Sequence, residues 1–396
     1  MTGPRTPGKR TPGLHLYVHF PFCRARCPYC AFYFVVGRAE ARRPYGDAVL
    51  AELDRVVKDP RFAGRPLRSV YFGGGTPSLL EPAFLAAVLE RARDRAGLVP
   101  DAEVSLEANP DGLDDERLAG LRAAGVTRLT LGWQSLREEP LRALGRTHTV
   151  REATESLADA RRAGFDNIGV DLMFGLAGQT VAQWREDLRR VAELGPDHVS
   201  AYELTLEEGT RFTRQHADGR LRLPDEDARA EMFESVDEEL APAGIVRYEI
   251  SNFARPGFEC RHNRSGWRGD DLLGLGASAA SHVANARWTN VADLDVYRQR
   301  VESGRSPAEA PDVLDDVTWA AEDLYLGLRT VEGTVVDDRL EAVGADDRAR
   351  LRGAIDRARA SGLLEDADGR VRLTRRGRLL ADTVFDDLLS VGGAAG

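Results

Sequence analysis

Up to about residue 205 the chain repeats one unit, a short apolar run followed by a polar stretch with helical periodicity. The runs are His15–Phe20, Ser69–Phe72, Glu103–Leu106, Arg128–Leu131, Asn167–Leu172 and His198–Leu204. Between them lie Pro44–Val57, Pro82–Arg95, Asp114–Ala124, Val150–Ala163 and Thr180–Leu194, amphipathic and rich in Ala, Leu, Glu and Arg. Strand and helix alternating at this spacing predict an α/β fold with a parallel sheet. Six units are fewer than the eight of a closed barrel. Periodicity alone does not separate a barrel from an open doubly wound sheet.

A length of 396 residues suggests two to three domains. Past Leu223 the pattern changes. The connecting segment 224–311 holds a helix-like stretch, Asp225–Leu240, a strand-like run, Arg247–Ile250, and a Gly-rich passage from Gly266 to Ala280. From Asp312 the chain reads as three helices and a hairpin turning at Asp368-Gly369, closed by a helix over Arg375–Leu389. This predicts a small winged-helix-like C-terminal domain over 312–390, packed against the barrel mouth. Residues 1–13, Pro/Gly-rich and basic with no apolar segment, predict a disordered tail without a secretion signal, and 391–396 a flexible one. No run of eighteen apolar residues exists, which excludes a membrane-spanning helix. The net charge of −10 is interspersed rather than blocked, which argues against nucleic acid as a partner.

Three of the four cysteines fall in Cys23-Arg-Ala-Arg-Cys27-Pro-Tyr-Cys30, directly after the first strand. In a chain without a secretion signal, such clustering points to metal or redox chemistry in a reducing cytoplasm. Three thiolates on one short loop can hold three irons of a [4Fe-4S] cubane and leave the fourth open. An open iron can chelate the amino and carboxylate groups of S-adenosylmethionine (SAM), and an electron passed to the sulfonium then breaks a C–S bond to release a 5′-deoxyadenosyl radical. The alternative is a structural zinc, with Cys260 or His19 as fourth ligand.

At these residues the chain resembles the radical SAM superfamily. Leu16-Tyr17-Val18-His19-Phe20-Pro21-Phe22-Cys23 is similar to the strand and loop of oxygen-independent coproporphyrinogen III oxidases. The resemblance covers about Leu14 to Leu389 and implies a partial (β/α)6 TIM-like barrel with the cluster loop after strand one. The oxidases carry a further cysteine two positions past the third cluster cysteine, where this chain has Phe32. That departure is characteristic of their relatives, the heme chaperones.

Tyr71-Phe72-Gly73-Gly74-Gly75-Thr76-Pro77 follows the second strand, and three glycines let backbone approach a ligand. No Lys-Ser/Thr follows, so a triphosphate loop is not indicated. The resemblance implies that Gly74, Gly75 and Thr76 touch the methionine amino group of SAM. Polar residues end the next strands, where parallel barrels place their sites: Glu107, Gln134 and Asp171, with Arg146 beyond. By resemblance these four contact SAM. Tyr17 is placed beside the cluster, and with Ala201-Tyr202-Glu203-Leu204 it is a candidate for the adenine pocket.

Cys260-Arg261-His262-Asn263-Arg264-Ser265-Gly266-Trp267 resembles the heme-chaperone segment His-Asn-x-x-Tyr-Trp, with Gly266 at the tyrosine position. Imidazole is a natural axial ligand of heme iron, which makes His262 a candidate heme contact. Ala280 stands where the family has histidine, with His282 two residues on, and Ala177 where it has proline. Cys260 reads as a small buried hydrophobe.

The expectation is a cytoplasmic radical SAM protein with a [4Fe-4S] cluster and SAM. Its role would be binding heme and passing it to an apo-hemoprotein, with an electron donor as a further partner. The alternative is a tailoring enzyme of the same group using two SAM molecules. Porphyrinogen decarboxylation ranks third, and a zinc-stabilised winged-helix regulator last.

Overall fold

A computed structural model describes residues 13–393. The six apolar runs are strands, five of them longer than the run and the last one residue shorter: β1 (Leu14–Phe20), β2 (Leu67–Gly74), β3 (Glu103–Ala108), β4 (Arg128–Gln134), β5 (Ile168–Phe174) and β6 (His198–Glu203). They are buried almost throughout, as strands covered on both faces must be. Between them run α1 (Arg42–Val56), α2 (Pro82–Ala96), α3 (Asp115–Ala124), α4 (Val150–Arg162) and α5 (Val181–Leu194). Capping boxes at Thr149/Glu152 and Thr180/Gln183 start α4 and α5, and left-handed Gly97, Gly125 and Gly195 end α2, α3 and α5.

Strands β1 to β6 lie side by side in sequence order, all parallel. A doubly wound sheet reverses its order at a switch point, and this one does not. The sheet is therefore a barrel wall, and it stays open because further strands extend both ends. On the β6 side these are β7 (Val246–Arg247) and β8 (Asn252–Ala254), antiparallel. The expected single strand Arg247–Ile250 is thus two short strands joined by a turn. On the β1 side, β9 (Asp271–Leu275) pairs parallel with β1, followed by β10 (Ala280–Val283), β11 (Ala286–Thr289) and β12 (Asp312–Val313). So β9 lies inside the passage expected to be an irregular Gly-rich link, and Asp312–Val313 edges the sheet rather than opening the C-terminal unit. Buried Glu52 of α1 fastens this extension, accepting from Tyr297 Oη at 2.6 Å, Asn290 Nδ2 at 2.8 Å and Gly276 N at 2.9 Å.

Leu324, Leu351, Phe385 and Leu388 belong to a second core, of the C-terminal unit. It comprises α9 (Asp316–Leu328), α10 (Ala345–Ala360), the hairpin β13/β14 (Leu364–Ala367, Arg370–Leu373) and α11 (Ala381–Val391), where α6 to α8 are Glu226–Leu240, Arg261–Trp267 and Leu294–Glu302. Asp368 and Gly369 both have positive φ, 52° and 75°, as a type I′ hairpin turn requires. The closing helix breaks at Leu380. Residues 1–12 and 394–396 of the expected tails lie outside the described residues. At their inner ends, Gly13 N donates to Asp270 Oδ1 at 3.1 Å, and Val391 is buried with Gly392 O accepting from Thr318 Oγ1, so neither is loose.

The C-terminal unit does not pack at the barrel mouth. Its contacts include Tyr248 and Glu249, Arg264 and Trp267 of α7, Glu234 and Glu238 late in α6, and His282 and Arg287 of the β10/β11 hairpin. These residues surround the N-terminal ends of the parallel strands: His198, the first residue of β6, is hydrogen-bonded to Tyr248 Oη at 2.9 Å. The mouth is at the other end.

Candidate functional site

A cavity of about 650 Å³ opens over the C-terminal ends of β1 to β6, where parallel barrels carry their chemistry. Cys23, Cys27 and Cys30 all line it as free, half-buried thiols. The root of their loop is pinned by pairing of Phe22–Cys23 with Val35–Val36. Burial pushes the Cys23 thiol up to about 11, opposed by a hydrogen bond with Thr76.

Among the described residues no set of three or more His, Cys, Asp and Glu side chains closes on a point that one ion would occupy. Neither candidate fourth zinc ligand is available. Cys260 is buried by the start of β3, its thiol 3.5 Å from Glu103 Oε1, and the His19 ring bonds Tyr17 Oη at 3.0 Å and Tyr33 O at 3.2 Å.

The glycine triple packs against the protein itself. A Cβ on Gly75 would lie 2.8 Å from the Pro21 and Phe22 backbone, and one on Gly74 2.7 Å from the His19 ring. Gly73 leaves no more room, with the Tyr17 ring 2.8 Å away. The triple lets β2 lie flush with β1 and with the root of the cysteine loop, a different reason for glycine from the expected ligand clearance. Gly74, Gly75 and Thr76 still line the cavity.

Glu107, Gln134, Arg146 and Asp171 share that cavity. Glu107 accepts from Tyr71 Oη at 2.8 Å and Gly74 N at 3.2 Å. Burial pushes its carboxyl up to about 7, opposed by the Tyr71 hydrogen bond and aided by the charge of Asp171. Burial likewise lifts Asp171 to about 6, and its Oδ1 is buried with no partner. Gln134 has φ of 65° where the β4–β5 register shifts, a left-handed conformation rare outside glycine. Arg146 Nη2 donates to Asn109 Oδ1 at 2.6 Å and Gly132 O at 3.0 Å. Asn109, just past β3, is absent from the sequence-derived set, although the strand-end pattern that yields Glu107 points to it equally.

Two expected site residues lie elsewhere. Tyr17 sits mid-strand, opposite Tyr71 and Gly274, and its ring stacks on Tyr71 at 6.1 Å instead of lining the cavity. Of the stretch Ala201–Leu204, which closes β6, Tyr202, Glu203 and Leu204 reach the cavity. His262 enters the barrel from the opposite end, where its Nδ1 lies 3.3 Å from Ser69 Oγ and its ring stacks on Tyr71 at 4.7 Å. It presents no imidazole to the cysteine cavity. His282, two residues past Ala280 on β10, faces Trp319 of the C-terminal unit at 4.8 Å.

The donor set fits an iron–sulfur cluster with a cationic ligand beside it: three thiols and two buried carboxyls, one with an oxygen still lacking a donor, around one cavity. Comparison with known proteins agrees. Residues 17–191 match the radical SAM superfamily and 318–380 the HemN C-terminal domain. The heme chaperone HemW of Mycobacterium tuberculosis is 37% identical over 385 residues, 94% of each chain. The mitochondrial radical S-adenosyl methionine domain-containing protein 1 of Bos taurus is 42% identical over 84% of this chain and 76% of its own. The solved structure of the Escherichia coli coproporphyrinogen III oxidase HemN superposes with a TM-score of 0.80 at 27% identity, covering 95% of this chain and 90% of that one.

Proposed function

The chain belongs to the radical SAM superfamily, in the HemN-like group that includes the heme chaperones, and on that basis we propose that it binds heme and transfers it. Its acceptor would be an apo-hemoprotein, and its compartment the cytoplasm, where thiols stay reduced. What carries the heme part is likeness along nearly the whole length of proteins named heme chaperones. Phe32, 74% exposed at the cavity rim where the oxidases have a cysteine, speaks against decarboxylation.

Membership of the superfamily implies a [4Fe-4S] cluster and SAM. Cys23, Cys27 and Cys30 would hold the cluster, which supplies an open iron and the electron that cleaves the sulfonium C–S bond, delivered by a separate donor. Asp171 Oδ1 and Glu107 offer acceptors to the donor groups of SAM. Thr76, whose Oγ1 accepts from Asn109 Nδ2 at 3.4 Å, and Gln134 line the remaining wall. Arg146 braces the floor between Asn109 and the cysteine loop.

The deciding experiment is anaerobic reconstitution followed by heme titration and transfer to an apo-hemoprotein. About one retained, transferable equivalent is expected. Absence of heme binding by cluster-loaded protein, together with 5′-deoxyadenosine formation on a small substrate, would replace this reading with the tailoring enzyme.

A further inference from the structure

We propose that His262 is a positioning residue for Glu107, acting through the ring of Tyr71. The inference rests on the reading that Glu107 contacts SAM. Tyr71 spans the barrel interior between its two ends. Its hydroxyl donates to Glu107 Oε1 at 2.8 Å on the cavity side, while its ring face is covered by the His262 imidazole, with centroids 4.7 Å apart and planes 27° apart. Tyr17 packs on the same pair, 6.1 Å from Tyr71 and 6.2 Å from His262. With the imidazole stacked on its face and Tyr17 packed beside the pair, the phenol keeps one orientation, and that orientation aims its proton at Glu107.

The imidazole is itself fixed from three directions. Glu103 takes the first free amides of α7, Arg261 N at 3.0 Å and His262 N at 3.2 Å, which sets the backbone. Ser69 Oγ lies 3.3 Å from His262 Nδ1 and 2.7 Å from His15 Nδ1, which sets the ring's rotation. At the far end of α7 the Arg329 guanidinium lies 4.3 Å over the Trp267 ring. Burial holds His262 neutral, its pKa pushed down to about 3, so it contributes shape and stacking rather than charge. The His-Asn-x-x-Gly-Trp segment would then serve the cofactor site from below, with its histidine already engaged on one face and one nitrogen.

The test measures SAM affinity of cluster-loaded protein by anaerobic equilibrium dialysis, with iron content as control. Glu107→Gln is the reference. His262→Ala and Tyr71→Phe are each expected to weaken SAM binding by roughly three- to tenfold at unchanged iron, the size of one ordinary net hydrogen bond. His262→Phe, which keeps a flat face, is expected within about twofold of wild type. The double variant His262→Ala/Tyr71→Phe is expected to be no weaker than Tyr71→Phe alone, since both remove one interaction. If His262→Ala does not fold, His262→Leu replaces it, filling the space without a planar face. Wild-type affinity in His262→Ala or His262→Leu beside a weakened Glu107→Gln overturns this inference and leaves the cofactor reading standing. So does His262→Phe as weak as His262→Ala, or additive losses in the double variant. Wild-type affinity in Glu107→Gln overturns both.

Discussion

Arg146 places Nη1 3.9 Å from the sulfur of Cys27 while its Nη2 donates to Asn109 Oδ1 at 2.6 Å. One planar guanidinium thereby joins the cysteine loop to the ends of two strands, a geometry that a single ammonium cannot reproduce. Arg146→Lys is expected to retain iron and to bind SAM about tenfold more weakly, roughly 1.4 kcal/mol. Equilibrium dialysis of the reconstituted variant measures this. Unchanged affinity would take Arg146 out of the cofactor site.

Cys260 lies apart from the triplet, and its thiol is already near Glu103. Alanine at Cys23, Cys27 or Cys30 is expected to lose cluster iron and its visible absorption. Cys260→Ala should keep both while losing about 1 kcal/mol of stability from the vacated volume. Iron assays settle it: loss of the cluster in Cys260→Ala with retention in Cys30→Ala reverses the assignment.

Glu107 carries a pH signature. With its carboxyl pushed up to about 7, the native state holds a proton that the unfolded chain releases near its ordinary, lower value. Between those two values stability falls as pH rises, and above the higher one the loss is complete. In SAM-free protein, Glu107→Gln is therefore expected to be about 1–3 kcal/mol more stable than wild type at pH 8, with the gap closing toward pH 5. Urea unfolding at both pH values tests this. A destabilised variant at pH 8 would contradict the buried-charge account. Asp171, raised to about 6, slopes the same way in wild type.

Gly266 is exposed in α7, and a Cβ there would meet nothing within 4 Å. Gly266→Ala is expected to raise stability by about 0.5–1 kcal/mol through helix propensity alone. Gly266→Tyr should fold and leave iron content and SAM affinity unchanged, because the position faces away from the cysteine cavity. A drop in SAM affinity in either variant, read by dialysis, would mean that α7 moves when its surface changes.

The parallel strands were legible because each carries a short cluster of buried apolar residues, repeated between helical stretches at a regular spacing. The strand-end residues followed, since a barrel puts its chemistry at one end of every strand. Strand β9 was hidden by composition. Its Gly274 and the neighbouring Gly276 are there because Tyr45, the His19 backbone and Ala280 press against them, and glycine in sequence reads as loop. The glycine triple was visible, but its cause was not, because the His19 ring and Pro21 come from another part of the chain. His262 illustrates the same limit. A motif names a histidine, and only packing tells which end of the barrel it enters.

The strand that feeds the cysteine loop is not an edge. Leu16 of β1 lies opposite Leu273 on one side and Val70 on the other, and it is fully buried. Backbone amides so placed exchange with solvent only when the whole barrel opens. The loop beyond Phe20 is rooted in this buried strand and in the pairing of Phe22–Cys23 with Val35–Val36, in contrast to a zinc finger, which has no such core of its own. Oxidative loss of a cluster held there would then be expected to be a local injury, repaired by delivery of iron and sulfide to an already folded protein.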